Sequence, residues 1–312
     1  MRNPPWVIAV VVTYNRRELL LESLAAVYAQ SRAPDAVIVV DNASTDGTAD
    51  AVRAGFPAAE LAEVAHNTGG AGGFAYGMAR ALAAGADLIW LMDDDTVPQP
   101  DALRELLAAR DHDRARPPVL VASRVLWTDG REHPMNTPRT KPFVGKAERL
   151  AAAAAGCRPI RSASFVSILV DAAECQRRGL PVADYFLWND DFEFTARLLR
   201  GNVGLFCPAS VVVHKTRTFG STDADPGERF FYEVRNKIWM FKTRAPLSPV
   251  ERLTYGGSTL RRWAKTFANS ADRRVLRSSL VKGVAVGVKT SPRPTDEVLA
   301  AAGLRLPARE PD

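Results

Sequence analysis

Three consecutive aspartates, Asp93, Asp94 and Asp95, follow the apolar run LIWLM. In an extended segment, residues two positions apart point to the same side, so the carboxylates of Asp93 and Asp95 can face one point. Two convergent oxygen ligands suit Mg²⁺ or Mn²⁺, with substrate phosphates completing the coordination shell. A solvated acidic turn or a helix cap fits the same residues, so the pattern favours a metal site without requiring one.

A third ligand for the same ion is available from a histidine. His214 ends the apolar run VVV, and a histidine at the carboxyl end of a strand is well placed for this role. A zinc cluster is not indicated, because no Cys/His spacing supports one. The cysteines Cys157, Cys175 and Cys207 form no CxxC pair, and we expect them to be buried, reduced thiols.

Polar residues also end the first two predicted strands. Thr13 and Asn15 follow the apolar run IAVVV, and Asp41 follows VIVV. Side chains at successive strand ends can line a nucleotide pocket by hydrogen-bonding a base and a ribose. Residues of these types also form ordinary turns, which is the alternative interpretation.

A glycine-rich segment, NTGGAGGF, follows the third predicted strand and opens a helix. Gly70, Gly72 and Ala75 match the dinucleotide pattern G-x-G-x-x-A, with Gly73 inside it and Asp93 20 residues beyond Gly73, so an NAD(P) oxidoreductase is an alternative. That fingerprint belongs to the first βα turn of its fold, however, and here it follows a third strand. In both interpretations the glycines let the backbone approach a ligand closely.

The segment WNDDFEF places Asp190, Asp191 and Glu193 at the start of a predicted helix. Acidic residues are favoured there by the helix dipole, which is a sufficient structural reason for them. The functional alternative is a general base, because a carboxylate in a partly closed pocket near Trp188 could take a proton from a sugar hydroxyl.

Strands and helices must position these residues. Apolar runs alternate with segments of helical spacing from residue 6 to residue 93, which predicts an α/β fold with a mainly parallel sheet. Residues 127–146 are polar and patternless, as in a functional loop or lid, or a disordered segment. Residues 161–181 are predicted to form one strand and a helix that ends at Gly179.

The charge distribution divides the chain. Residues 229–293 carry 15 Lys plus Arg against three acids, although the net charge of all 312 residues is +6. We therefore predict a first domain over 1–220 and a basic, mainly helical region over 221–312, whose end is poorly ordered. Arg235 and Lys237 are predicted to meet a phosphate of a donor or an acceptor.

The basic region allows two interpretations. Basic residues accompany apolar side chains that could lie on an anionic membrane, or could pack inside a helical bundle. These side chains are Trp263, Phe267, Leu276, Leu280 and Val284. Nucleic-acid binding has only charge in its favour, because no recognition motif accompanies it. No apolar run approaches the length of a membrane span, so a cytoplasmic protein, peripheral at the inner face of the plasma membrane, is expected.

The motifs in their order resemble inverting glycosyltransferases of family 2, which have the nucleotide-sugar-binding GT-A fold. The resemblance covers roughly residues 6–216 and rests on VVTYNR, VVDNASTDGT, NTGGAGGF, LIWLMDDD, WNDDFEF and PASVVVHK. Within that family the chain looks most like the galactofuranosyltransferases of actinobacterial cell-wall galactan. One departure is Asn189, which separates Trp188 from the aspartate pair and puts the sugar-stacking role of Trp188 in doubt.

The resemblance implies a role for each candidate residue. Asp93, Asp95 and His214 would hold Mn²⁺ or Mg²⁺ on a UDP diphosphate, and Asp191 would be the base, with Asp190 as the alternative. Thr13, Asp41 and Asn67 would surround the uridine. The full set of candidate nucleotide-sugar residues is Thr13, Asn15, Asp41, Asn67, Gly70, Gly72, Gly73, Asp93, Asp94 and Trp188.

The implied reaction is an inverting, metal-dependent transfer of galactofuranose from UDP-galactofuranose. The implied acceptor is a lipid-linked saccharide, rhamnosyl-GlcNAc on a polyprenyl diphosphate. A rhamnosyltransferase that uses a dTDP-sugar is the nearest alternative. An NAD(P) oxidoreductase and a non-catalytic scaffold that kept the fold are more distant ones.

Overall fold

The computed structural model describes residues 4–113, 115–220, 225–243 and 245–306. Among them lies one ten-stranded sheet with the strand order β3-β2-β1-β4-β9-β6-β10-β8-β7, in which β5 pairs with β10. The strands are β1 (Val7–Thr13), β2 (Ala36–Asp41), β3 (Glu60–Glu63), β4 (Leu88–Asp93), β5 (Thr96–Pro98), β6 (Leu120–Leu126), β7 (Arg139–Thr140), β8 (Arg158–Ser162), β9 (Ile168–Asp171) and β10 (Gly204–His214).

The helices of the sheet domain cover both faces of this sheet. They are α1 (Arg17–Tyr28), α2 (Thr48–Gly55), α3 (Gly69–Ala83), α4 (Ala102–Asp111), α5 (Lys146–Ala154), α6 (Ala172–Arg178) and α7 (Asp190–Leu198). The basic region supplies α8 (Phe230–Lys242), α9 (Pro249–Asn269), α10 (Arg273–Lys289) and α11 (Thr295–Ala301). The predicted α/β fold with a basic helical C-terminal region is confirmed, and the division at residue 220 stays a prediction.

The first half of the sheet is parallel, as predicted. β1 pairs in parallel with β2 on one side and with β4 on the other, and β2 pairs in parallel with β3. Every residue of β1 is buried. Strands covered by helices on both faces need apolar residues at every position, which explains the unbroken apolar runs.

The second half is mixed, and here one prediction was wrong. Residues 161–181 contribute to two strands instead of one. β8 lies between β10 and the edge strand β7, whereas β9 lies antiparallel between β4 and β6. Between them, the backbone N–H and C=O of Ala163 bond to the Thr195 hydroxyl, so the chain leaves the sheet after β8.

Helix α3 packs unusually close to the sheet. A Cβ atom on Gly73 would lie 2.5 Å from Val12 Cγ1, and one on Gly77 would lie 2.4 Å from Val10 Cγ1. No side chain fits in that space, so these glycines are required by helix–sheet packing.

The C-terminal helices form a small core of their own. Phe230, Val234 and Leu276 are buried in it, with Trp263 and other partly buried apolar residues packed against them. The basic region therefore packs as a helical bundle at these positions, and no membrane-binding face is formed by Trp263, Phe267, Leu276 and Leu280. Only Val284 of that group is an exposed large hydrophobic residue, at 39%.

The last described helix, α11, returns to the main core, where Leu299 is fully buried. The predicted poor order at the end of the tail falls on 307–312, outside the described residues. Among the residues that the structure describes, no helix has both the length and the apolar character needed to cross a membrane.

Candidate active site

A cavity of about 950 Å³ opens beyond the carboxyl ends of β4 and β10, where ligands bind in open α/β sheets. Asp93, Asp95 and His214 line it on the sheet side. Lys237 of α8 and Arg262 of α9 line it as well. The sheet domain and the C-terminal helices therefore share one cavity.

The predicted metal ligands converge at the sheet side of this cavity. Asp93, Asp95 and His214 each offer one ligand atom, and these atoms all lie within 4.8 Å of one another. The register explains their approach, because β5 pairs antiparallel with the end of β10 and sets Thr96 opposite His214. His214 Nε2 thereby lies 3.0 Å from Asp95 Oδ1.

Asn136 orients the histidine ring, and sequence reasoning missed this residue. Its Oδ1 lies 2.8 Å from His214 Nδ1, and its Nδ2 donates to Ser164 Oγ at 3.1 Å. This arrangement favours a proton on Nδ1, which turns the Nε2 lone pair toward the aspartates. Partners of this kind commonly fix metal-binding histidines.

The donor set fits a divalent cation. Among the described residues, the buried Asp95 Oδ1 accepts no hydrogen bond, although His214 Nε2 is close. Burial and the neighbouring Asp95 raise the pKa of Asp93 to about 7. Two carboxylates and an imidazole suit Mn²⁺ or Mg²⁺, and the charge of such an ion would relieve the repulsion between the carboxylates.

Arg16 partly neutralises the same cluster. Its Nη1 lies 3.1 Å from Asp94 Oδ1 and 2.5 Å from Asp95 Oδ2. Burial opposes ionisation of Asp95, but His214 and Arg16 hold the pKa of this carboxyl below its ordinary value. One guanidinium shared by adjacent carboxylates leaves negative charge for a further cation.

The middle aspartate has a different function in the structure. Asp94 Oδ2 accepts hydrogen bonds from Thr13 Oγ1 at 2.9 Å and from the Tyr14 backbone N–H at 3.2 Å. It fixes the connection between β1 and α1 and does not line the cavity. Asp94 and Asp95 form the turn between β4 and β5, so the strand pleat itself ends at Asp93.

Asp190 and Asp191 stand in the first turn of α7 and line the cavity. Burial raises the pKa of Asp190 well above its ordinary value, and Asp191 and Asp93 add to this effect. Burial also raises the pKa of Asp191, where Lys237 oppositely stabilises the charged form. A raised pKa suits a general base, because it increases proton affinity near neutral pH.

The segment before these aspartates has an unusual backbone. Phe186, Trp188 and Asn189 have φ values of 62°, 65° and 66°, in the left-handed region. Non-glycine residues are disfavoured there and persist only where surrounding structure holds them.

Helix α8 holds this segment in place. Asn236, fully buried, directs its Nδ2 at the carbonyl oxygens of Tyr185, Leu187 and Trp188, at 2.9–3.0 Å. Asn189 Nδ2 in turn donates to Glu233 Oε2 at 2.7 Å. The basic region therefore positions the candidate base, which the charge pattern of the sequence did not indicate.

The predicted nucleotide-sugar residues divide into two groups. Gly70, Asp93 and Trp188 line the cavity. The others lie outside its lining, and their contact with a nucleotide stays a prediction; they are Thr13, Asn15, Asp41, Asn67, Gly72, Gly73 and Asp94.

Several of these residues are engaged in local structure. Asp41 Oδ1 accepts from the Ser44 backbone N–H at 2.9 Å, and Asn15 Oδ1 accepts from the Thr45 backbone N–H at 2.7 Å. Asn67 Oδ1 accepts from the Gly69 backbone N–H at 2.7 Å. The bonds of Asp41 and Asn67 are local turn chemistry, the alternative that the sequence allowed for Asp41, whereas the bond of Asn15 joins the loops that follow β1 and β2.

The glycine-rich segment does not form a phosphate-binding loop. Gly70, Gly72 and Gly73 lie inside α3, and the Ala71 N–H donates to the Phe186 carbonyl at 3.2 Å. Asn42, another residue that sequence reasoning missed, accepts at Oδ1 from the Thr68 N–H at 2.8 Å. The start of α3 is thus occupied by protein acceptors, which leaves the dinucleotide-binding alternative without structural support.

The chain is similar to known glycosyltransferases in sequence. A sequence model of glycosyl transferase family 2 matches residues 8–169. Galactofuranosyltransferase GlfT1 of Mycobacterium tuberculosis is 34% identical over 247 residues, which cover 72% of this chain and 79% of that protein. GlfT1 of Mycolicibacterium smegmatis is 47% identical over 106 residues, which cover 34% of this chain and only 35% of that protein.

Solved structures share the fold at low sequence identity. Residues 1–349 of Staphylococcus aureus TarS, in complex with UDP-GlcNAc, align with a TM-score of 0.59 and 17% identity, covering 94% of this chain and 83% of that one. The mannosyltransferase PcManGT from Pyrobaculum calidifontis, in complex with GDP-Man and Mn²⁺, aligns with a TM-score of 0.50 and 21% identity, covering 96% and 79%.

Proposed function

Since the chain belongs to glycosyl transferase family 2 and is a glycosyltransferase, we propose that it transfers galactofuranose from UDP-galactofuranose with inversion of configuration. The acceptor is a rhamnosyl-GlcNAc saccharide on a polyprenyl diphosphate. The identity to galactofuranosyltransferases over 72% of the chain supports the choice of sugar.

One observation carries the mechanism. Two carboxylates and a histidine lie on one side of a single cavity, and a second, separate aspartate pair lines the same cavity. A transferase for activated sugars needs both a site for the leaving diphosphate and a base for the acceptor. The Mn²⁺ bound by PcManGT and the UDP-GlcNAc bound by TarS are consistent with a metal and a UDP donor at the sheet side.

Asp93, Asp95 and His214 would hold the divalent ion, which supplies Lewis-acid neutralisation of the leaving UDP. Asp191 accepts the proton of the acceptor hydroxyl as its oxygen forms a bond to the anomeric carbon. The bond from that carbon to the UDP oxygen breaks on the opposite face, and its electron pair leaves with UDP. Asp190 is the alternative base.

Helix α9 provides a surface for a membrane. Val250, Leu253 and Leu260 are exposed at 64%, 79% and 65%, and at 100° per residue they lie opposite Tyr255 and Arg262, which line the cavity. A helix with an exposed apolar face in a basic region suits peripheral binding to anionic lipid at the inner face of the plasma membrane.

Vesicle sedimentation tests this surface. The double substitution Leu253→Ser and Leu260→Ser should release the protein from phosphatidylglycerol vesicles. Leu150→Ser on α5, a leucine of similar exposure at 60%, should not. Equal binding of both variants would contradict the membrane assignment.

A donor screen tests the reaction. The purified chain is incubated with Mn²⁺, the polyprenyl-diphosphate-linked rhamnosyl-GlcNAc acceptor and either UDP-galactofuranose or dTDP-rhamnose, and products are weighed by mass spectrometry. We expect a hexose gain from the UDP donor alone, abolished by EDTA. A deoxyhexose gain would instead identify a rhamnosyltransferase.

A further inference from the structure

Lys237 is a buried cation on the wall of the cavity, and Glu233 and Asp191 act on its charge without contacting its amine. Its exposure is 4%, yet it lines the cavity. Among the described residues, its amine forms no ion pair or hydrogen bond and lies 4.7 Å from the centre of the Phe192 ring. A buried charge is costly unless it is paired.

The nearest acid on its own helix is already occupied. Glu233 Oε2 accepts from Asn189, and Oε1 accepts from Trp263 Nε1 at 3.1 Å and from Arg262. Both carboxylate oxygens of Glu233 therefore hold α9 and the segment before α7. The amine of Lys237 stays available to a ligand in the cavity.

A second cation shares the same aromatic ring. The guanidinium of Arg139 in β7 lies 5.3 Å from the centre of the Phe192 ring and 5.5 Å from that of Tyr255. Two positive charges around one ring repel each other, and an anion between them would relieve this repulsion. Arg262, whose charge also acts on Lys237, lines the cavity as well.

This cationic end of the cavity is separate from the metal ligands. Lys237 lies on α8 and Arg139 in β7, whereas Asp93 and His214 end β4 and β10 and Asp95 follows β4. Lys237 and Arg139 favour the charged form of Asp191, and Asp93 raises the pKa of Asp190, so the aspartate pair lies between these cations and the metal ligands.

We propose that Lys237 and Arg139 bind the diphosphate of the lipid-linked acceptor, on the far side of the aspartate pair from the donor diphosphate. The assignment to an acceptor rests on the proposed function. Lysine and arginine together suit a phosphoanhydride, since charge-assisted hydrogen bonds to phosphate oxygens are short and strong. The acceptor would thus be held by its phosphates while its sugar reaches Asp191.

The first experiment measures binding of farnesyl diphosphate by calorimetry in the presence of EDTA. Without a divalent ion, Asp93, Asp95 and His214 cannot bind a diphosphate through a metal. We expect Lys237→Met to weaken binding about tenfold to hundredfold, the usual range for a hydrogen bond to a charged group. Lys237→Arg should retain most of the affinity. Lys282→Met removes an exposed lysine from α10 and should bind like the wild type.

Arg139→Gln is a second variant, at an exposed position where folding is not at risk. It should weaken binding severalfold. Wild-type affinity in both Lys237→Met and Arg139→Gln would overturn the proposal. Loss of binding to phosphatidylglycerol vesicles in the same two variants would also overturn it, because the site would then bind lipid headgroups instead of a diphosphate.

The second experiment measures the KM values for the acceptor and for the donor. In Lys237→Met we expect the KM for the lipid-linked acceptor to rise about tenfold or more, with the KM for the donor unchanged. A rise confined to the donor KM would place Lys237 at the donor phosphates and refute the assignment. Farnesyl diphosphate binding needs no sugar transfer, so failure of the site and failure of the proposed function are distinguishable.

Discussion

The two ends of the cavity differ in how they are built. The acidic end consists of side chains at the ends of β4 and β10, and strand register fixes Asp93, Asp95 and His214. The cationic end combines α8 and α9 with the two-residue strand β7. Strand pairing alone brings the residues of the acidic end together. The residues of the cationic end come together only through packing between segments that are far apart in sequence.

The largest effect is expected when the carboxylates of the acidic end are removed. The double substitution Asp93→Ala and Asp95→Ala should abolish Mn²⁺ binding, measured by electron paramagnetic resonance, and reduce transfer more than about ten-thousandfold, since several kcal/mol of charge stabilisation are lost. Farnesyl diphosphate binding at the other end should persist. Glu18→Gln, at an exposed carboxylate, serves as the control, and retained transfer in the double variant would refute a metal-dependent mechanism.

The aspartate pair between the two ends can be resolved by single substitutions. Asp191→Asn should lower kcat by roughly 10² to 10⁴-fold, the usual contribution of a general base, while leaving UDP affinity intact. Asp190→Asn should have the smaller effect on kcat. The reverse order would identify Asp190 as the base.

Asn136 sharpens the description of the acidic end. Asn136→Ala removes the partner of His214 Nδ1 and should weaken Mn²⁺ affinity about tenfold to hundredfold. Calorimetric titration with Mn²⁺ measures this directly. Thr137→Ala, a neighbour whose hydroxyl bonds only to the His133 carbonyl among the described residues, is the matched control, and equal affinity in both variants would show that Asn136 does not position the histidine.

The smallest expected effect is a pH dependence of the cationic end. Burial lowers the pKa of Lys237 to about 8, with Glu233 and Asp191 opposing this shift and Arg262 and Arg139 adding to it. The amine therefore loses its proton as the pH rises through 8, and kcat/KM for the acceptor should fall about tenfold per pH unit above that value. Lys237→Arg should abolish this fall, because a guanidinium keeps its proton; a fall of the same size in the variant would assign it to another group.

The difference between the ends also explains what could be predicted from the sequence. The strand period of two predicts that Asp93 and Asp95 face one point, and the structure brings both together with His214, whereas Asp94, kept as a nucleotide-sugar candidate, is bound to Thr13 and lies outside the cavity lining. His214 was found because it ends an apolar run. Each inference used only local spacing and the geometry of parallel sheets.

Asn136 of the acidic end and the residues of the cationic end gave weaker signals. Asn136 and Arg139 lie in a segment without periodicity, which indicated a loop but not its contacts. Arg235 and Lys237 were both predicted to meet phosphate, yet Arg235 donates to the carbonyls of Asp184 and Tyr185 and stacks on Trp239 at 4.2 Å. Helical spacing identified apolar residues in α9 and α10 but not the side on which the neighbouring helix packs.

The hydrogen bonds from Asn236 to the segment before α7 set an order in which the parts of the site can form during synthesis. Chains fold from the N-terminus as they leave the ribosome, so the sheet domain and Asp191 emerge before the side chain that holds Phe186, Trp188 and Asn189 in their left-handed conformation. The base cannot be set until α8 has arrived and docked. We therefore expect a nascent chain that has not yet made α8 to carry the candidate base without the hydrogen bonds that hold the segment before it.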